Sequence, residues 1–141
     1  MSRIFWDTML FVYVLEDHPS FSPRAHDLLA RSRRRCDRLY TSYLAIGEVL
    51  AGVEKSAHPE AARAVWDSVE AMDFTLLPFD GGAVSAFSKL RAREGLKAPD
   101  AIHLACAASA GIDLFLTGDR KLTQLDVPGI QFIADFNAPI L

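Results

Sequence analysis

A single carboxylate joins two apolar runs in the segment Ile4-Phe5-Trp6-Asp7-Thr8-Met9-Leu10-Phe11-Val12. The first run, over residues 3–6, has the length of a short buried β-strand, and the second predicts a helix over residues 8–16 with Thr8 as its N-cap. A charge between two buried runs is costly unless it is paired or binds a metal ion. The segment therefore predicts a strand and a helix of an α/β fold, with a functional candidate, Asp7, between them.

The same alternation continues along the chain. Further strands are predicted over residues 38–41, 74–77, 113–116 and 130–133. Further helices are predicted over residues 22–34, 43–55, from 58 onwards, 80–94 and 99–110, with Ser42 and Asp80 as N-caps and Gly95 and Gly111 as terminators. Strands that alternate with helices predict one α/β domain over residues 1–141, a three-layer fold with a central parallel sheet of about five strands flanked by helices.

Bulk composition excludes several classes of protein. Of the 141 residues, 50% are hydrophobic and 23% charged, which is too apolar for a disordered chain. The net charge of −3 gives no general attraction to nucleic acids or anionic membranes. No segment approaches the ~20 apolar residues of a membrane helix, so we expect no membrane association. Cys36 and Cys106 are too far apart to indicate a metal-ligand pair, and a cytoplasmic location is expected.

Three more acids interrupt apolar sequence as Asp7 does: Glu48, Asp100 and Asp119. Asp119 follows a predicted strand, Asp100 opens a helix, and Glu48 lies two turns into the helix after the second strand. Ligands of parallel α/β sheets collect beyond the carboxyl ends of the strands. We therefore expect the four acids to converge on one edge of the sheet.

Converging carboxylates need a partner. At ~4 Å and an effective dielectric constant of ~20, each pair of negative charges costs about 4 kcal/mol. Mg²⁺ or Mn²⁺ would reverse that balance, because hard cations take oxygen ligands. Such ions activate water and stabilise the attacking and leaving oxygens in phosphodiester cleavage. The four acids thus predict a divalent-cation site suited to phosphoryl chemistry.

Each of the four acids lies in a short recognisable piece of sequence: Phe5-Trp6-Asp7-Thr8, Thr41-Ser42-Tyr43-Leu44-Ala45-Ile46-Gly47-Glu48, Pro99-Asp100-Ala101-Ile102-His103-Leu104-Ala105 and Leu116-Thr117-Gly118-Asp119-Arg120-Lys121-Leu122. In this order, the four pieces together resemble a PIN domain, the nuclease fold of prokaryotic VapC-type toxins. Each piece alone is weak, and together they span almost the whole chain. Met9 departs from the family pattern, where a polar residue is common, and Gly118 should loosen its loop.

The resemblance implies a function as well as a fold. It implies an Mg²⁺- or Mn²⁺-dependent ribonuclease in which Asp7, Glu48, Asp100 and Asp119 form the acidic site and bind the metal. It implies that Thr117 supports the metal shell or an attacking water. It also implies an RNA substrate, a small antitoxin partner that covers the site, and a homodimer.

Basic residues form two groups. The first group comprises Arg31, Arg33, Arg34, Arg35 and Arg38. It either contacts RNA or the antitoxin or is simply a solvated helix end. The second, our predicted RNA-binding set because it precedes Asp100, comprises Lys89, Arg91, Arg93 and Lys97. His103 follows Asp100 by one helical turn, and we interpret it as a packed, hydrogen-bonded histidine rather than a base or a zinc ligand.

Other interpretations stay open at this point. Taken singly, Asp7 and Asp100 are ordinary helix-start acids. An aspartate-based phosphatase would also place an acid after the first strand, but it needs a second aspartate where Met9 stands. A receiver domain would need its phosphoacceptor near Leu77-Pro78-Phe79-Asp80, which fits poorly. A catalytically inactive PIN scaffold that binds RNA or protein is the third alternative.

Overall fold

The computed structural model describes all 141 residues and contains five strands and six α-helices. The strands are β1 (Arg3–Trp6), β2 (Arg38–Ser42), β3 (Thr75–Leu77), β4 (Ile112–Thr117) and β5 (Ile130–Asp135). The helices are α1 (Thr8–Leu15), α2 (Ser22–Arg34), α3 (Tyr43–Glu54), α4 (Ala62–Ala71), α5 (Gly81–Glu94) and α6 (Ala98–Ala110). The predicted alternation of strands and helices is confirmed.

All five strands are parallel and lie in the order β3-β2-β1-β4-β5. The chain builds outward from β1 to β3 on one side and then crosses back to place β4 on the other side of β1. Strand order therefore reverses between β1 and β4, where Phe5 is in register with Phe115. The carboxyl ends of these two strands form the crevice in which doubly wound folds bind ligands.

Alternating side chains of the strands build a hydrophobic core on each face of the sheet. On one face Phe5, Tyr40 and Phe115 pack with α5 and α6. On the other face Ile4 and Trp6 pack with the helices α1 to α4. The rings of Phe5 and Phe115 are stacked with centroids 4.8 Å apart. These two cores make the predicted three layers.

Local details correct two predictions. The N-cap of α1 is Asp7, not Thr8, because the Asp7 carboxylate accepts a 2.8 Å hydrogen bond from the Thr8 N–H. The helix predicted from residue 58 begins as a short 3₁₀ turn, Pro59–Ala61, and continues as α4. None of the helices combines the length and the apolar character that crossing a membrane would require.

Candidate active site

The four predicted acids line one open pocket at the carboxyl ends of β1 and β4. This cavity, called the acidic pocket below, has a volume of about 470 Å³. Its lining residues are Asp7, Thr8, Met9, Tyr13, Glu48, Asp100, His103, Gly118 and Asp119. Folding thus brings together carboxylates that are up to 112 residues apart in the chain (119 − 7).

Asp7 is the one acid of the four whose carboxylate oxygens both accept hydrogen bonds from the protein. One carboxylate oxygen accepts from the Thr8 N–H, and the other accepts a 2.8 Å hydrogen bond from the Thr117 hydroxyl. Thr117 is fully buried at the end of β4, and its Oγ1 also accepts from the Asp119 N–H at 3.0 Å. Thr117 therefore links the strand-end acid to the loop that carries Asp119.

Glu48 projects from the second turn of α3 and is held through one oxygen. Its Oε1 accepts from the Thr8 hydroxyl at 2.7 Å and contacts His103 Nε2 at 2.7 Å. The other oxygen, Oε2, accepts no hydrogen bond from the protein. The Glu48 side chain is 35% exposed, so this carboxylate lies partly in solvent at the wall of the acidic pocket.

His103 is a member of the acidic pocket that sequence reasoning did not assign to it. The prediction that it is buried and hydrogen-bonded is confirmed, since it is 2% exposed and both ring nitrogens have partners. The usable signal was its position three residues after Asp100, which puts both side chains on the same face of α6. His103 therefore belongs to the site and to the core at once.

Asp100 lies in the first turn of α6, where the helix dipole favours its negative charge. Burial nevertheless raises the pKa of the Asp100 carboxyl, and repulsion from Asp7 and Asp119 raises it further, with a smaller effect of Glu48. A positive charge on His103 would lower this pKa and does not cancel the rise. Asp100 is thus electrostatically coupled to the other three acids of the pocket.

This raised pKa predicts that Asp100→Asn stabilises the protein. A carboxyl whose pKa is higher in the folded than in the unfolded state loses folding free energy once the pH exceeds its unfolded value of about 3.9. In divalent-free buffer at pH 7 we expect a higher Tm for the variant by calorimetry, and the gain should fade as the pH falls toward about 4. Asp80→Asn, an exposed N-cap acid outside the pocket, is the control and should leave Tm unchanged. An equal or lower Tm for Asp100→Asn at pH 7 would refute the coupling.

The predicted RNA-binding cations are close to Asp100 in the sequence, but none of them lines the acidic pocket. Lys89 and Arg93 line a separate cavity between α5 and the end of α6. Arg91 donates a 2.6 Å hydrogen bond to the Leu96 carbonyl. Lys97 is the N-cap residue of α6, three positions before Asp100, and is exposed. Of the four, only Lys97 stands at the same helix end as an acid of the pocket.

The arginine-rich run lies at the opposite end of the sheet. Arg38 begins β2, whereas the acids follow the carboxyl ends of the strands. Arg31 pairs with Asp27 at 2.8 Å and Arg35 with Asp37 at 3.0 Å. This placement favours the interpretation of the run as a solvated helix end and separates it from the acidic pocket.

The donor atoms of the acidic pocket suit a hard divalent cation, because four carboxylates supply oxygens and no cysteine is present. As the side chains stand, no three His, Cys, Asp or Glu residues are grouped closely enough to hold a metal ion. No lysine or arginine lines the pocket as a permanent counter-ion. The residues fit such an ion by chemistry and by their common place, and binding would require the acids to draw closer.

Comparison with known proteins agrees with this architecture. The chain is 32% identical over 123 residues to ribonuclease VapC23 of Mycobacterium tuberculosis, a match that covers 86% of this chain and 96% of that protein. The fold resembles DNA-bound VapBC of Salmonella typhimurium, with a TM-score of 0.73, 23% identity and coverage of 96% and 99% of the two chains.

A second solved structure has the same fold at lower identity. It is VapC20 of M. tuberculosis, a toxin that cleaves the sarcin-ricin loop, with a TM-score of 0.68, 17% identity and coverage of 87% and 96% of the two chains. The family model for the PIN domain matches residues 4–128. This stretch contains all four acids of the acidic pocket, and the chain therefore belongs to the PIN-domain family.

Proposed function

We propose that this protein is an endoribonuclease that hydrolyses RNA phosphodiester bonds with the help of Mg²⁺ or Mn²⁺, and that it is the toxin of a VapBC-like toxin–antitoxin pair. The main support for this proposal is that four carboxylates line one pocket at the point where the strand order reverses, between β1 and β4. They belong to Asp7, Glu48, Asp100 and Asp119. A relative of this chain supports the same activity, since VapC23, which is 32% identical to it, is named a ribonuclease.

The four carboxylates would hold the cation, which when bound supplies charge neutralisation and an activated water. Asp7 is prepared for this role because both of its oxygens are already oriented by hydrogen bonds. A bound cation would favour the ionised form of Asp100, which burial and like charges disfavour. Asp119 is exposed on its loop, where one carboxylate oxygen accepts a hydrogen bond from the Lys121 N–H and the other has no partner within the protein.

Thr117 acts through its neighbours in this proposal. Its hydroxyl donates to Asp7 and accepts from the Asp119 N–H, so it fixes the spacing of two proposed metal ligands. Because the hydroxyl is fully buried, it supports the shell around the cation rather than meeting the RNA directly. Of the two roles implied by the family resemblance, support of the metal shell is the one that its position favours.

A small antitoxin is the proposed protein partner. Its site would be the acidic pocket, whose rim includes Met9, a residue that is 44% exposed. The Salmonella relative was solved as a VapBC assembly, which supports a partner of this kind. A homodimer remains our prediction and is measurable by light scattering of the purified chain.

We predict that the cations at residues 89, 91, 93 and 97 contact the RNA backbone outside the acidic pocket. Replacing Lys97 by Ala should raise KM while leaving kcat nearly unchanged, since a phosphate contact contributes to binding but not to the chemistry. The slope of log KM against log salt concentration should also decrease, by the contribution of about one phosphate contact. Arg38→Ala, at the far end of the sheet, is the control. A fall in kcat with unchanged KM would contradict this assignment.

Cleavage of RNA by the purified protein tests the proposed activity. We expect endonucleolytic products with Mg²⁺ or Mn²⁺, none with a chelator, and recovery when the ion is restored. Binding of RNA without turnover under all these conditions would identify an inactive scaffold instead. Growth arrest on induction, relieved by Asp7→Asn, tests the toxin role separately.

A further inference from the structure

Two buried polar side chains, Ser42 and His103, form a hydrogen-bond chain that ends on Glu48, and His103 lines the acidic pocket. Ser42 is 1% exposed and His103 is 2% exposed. The Ser42 hydroxyl lies 2.8 Å from His103 Nδ1, and His103 Nε2 lies 2.7 Å from Glu48 Oε1. This hydrogen-bond chain joins the end of β2 and the second turn of α3 to the middle of α6, where His103 lies 61 residues from Ser42.

Hydrogen-bond counting fixes the direction of this chain. An ionised Glu48 only accepts, so His103 must carry a hydrogen on Nε2. The Ser42 oxygen already accepts from the Ala45 N–H at 3.0 Å as the N-cap of α3. Its own hydrogen has one available acceptor, His103 Nδ1, and a ring protonated there would leave that hydrogen buried without a partner. Ser42 therefore selects the Nε2–H tautomer.

We propose that His103, with its tautomer set by Ser42, is a positioning residue that orients the Glu48 carboxylate toward the acidic pocket. Together with the Thr8 hydroxyl it holds Oε1, which leaves Oε2 free to bind a cation. Partners of this kind fix the orientation of metal-binding side chains and raise their affinity. The consequence for the cation rests on the proposed function, whereas the tautomer follows from the hydrogen bonds alone.

Amide replacements of His103 separate positioning from packing. The amide nitrogen of Gln reaches the place of Nε2, whereas that of Asn reaches only the place of Nδ1. By calorimetric titration of Mg²⁺ and Mn²⁺ without RNA, we expect His103→Asn to bind about 10-fold to 100-fold more weakly and His103→Gln to stay close to the wild type. Equal losses in both variants, or none in His103→Asn, would overturn the proposal.

Ser42→Ala tests the other end of the chain. It removes a helix cap as well as the bond to His103, so its control is Asp80→Ala, which removes the cap of α5. Both variants should lower Tm, and only Ser42→Ala should weaken cation binding. Unchanged binding in Ser42→Ala would contradict the role of the serine.

Long-range ¹H–¹⁵N correlation spectra of the wild type read the tautomer directly, whatever the cation affinity. We expect the ring hydrogen of His103 on Nε2, and a hydrogen found on Nδ1 in its place would overturn the proposal. If the wild type cleaves no RNA while these results hold, the proposed function fails and the positioning role stands. If it cleaves RNA and they do not hold, only the positioning role fails.

Discussion

Asp7→Asn is expected to lower Mg²⁺-dependent RNA cleavage by about 1000-fold, because a charge interaction of about 4 kcal/mol at ~4 Å corresponds to three orders of magnitude in rate. Asn keeps the shape of the side chain and is an equally good N-cap, so α1 should remain intact. The measurement is single-turnover cleavage at saturating Mg²⁺, with circular dichroism to confirm the fold.

Glu70→Gln is the matched control for this loss of one negative charge. Glu70 is exposed on α4, outside the acidic pocket, and its side chain forms no hydrogen bond within the protein. Its replacement should leave cleavage unchanged. Activity of Asp7→Asn within a few-fold of this control would show that the carboxylate is not part of the reaction site.

Thr117→Val should lower cleavage by about 10-fold to 100-fold while keeping the side chain's shape, as expected for a residue that orients metal ligands. The change leaves one oxygen of Asp7 and the Asp119 N–H without their partner. An unsatisfied buried polar group costs about 1–3 kcal/mol, so the free energy of unfolding should fall as well. Thr117→Ser, which retains the hydroxyl, should recover most of both losses.

Thr41→Val separates the loss of activity from the loss of stability. Thr41 is also a fully buried threonine near a strand end, and its hydroxyl donates a 2.8 Å hydrogen bond to the Trp6 carbonyl. It is not part of the acidic pocket. We expect Thr41→Val to unfold at lower denaturant concentration but to cleave RNA normally. Equal cleavage by the two valine variants would show that Thr117 has no specific role in cleavage.

Much of the fold follows from local sequence. The remaining features are set by contacts between residues that are distant in the chain. Gly95 ends α5 with φ +63°, as its position after an amphipathic segment predicts. The prediction of Thr8 as the N-cap of α1 was wrong because Asp7 and Thr8 are both good capping residues. Asp7 caps the helix, while the Thr8 hydroxyl bonds Glu48, 40 residues away. The order of strands depends on pairing between distant segments, which no local pattern contains.

The acidic site was predictable to the extent that charges stand out in apolar sequence. Asp7 and Glu48 interrupt buried runs, and that contrast was enough to single them out. The contacts of His103 were not predictable, since Ser42 lies 61 residues away and a histidine among apolar residues is equally typical of a plain core position. The four predicted RNA-binding cations were grouped because they precede Asp100 in the sequence. That closeness in sequence gave no sign that Lys89 and Arg93 line another cavity.

An anomalous difference map from crystals grown with Mn²⁺ shows whether the four carboxylates form one cation site. We predict one or two Mn²⁺ peaks in the acidic pocket, bound by oxygens of Asp7 and at least one other of the four acids, and no peak there in Asp7→Asn crystals. A pocket without Mn²⁺ at millimolar concentration, or ions bound only elsewhere on the surface, would show that the four carboxylates do not form a cation site.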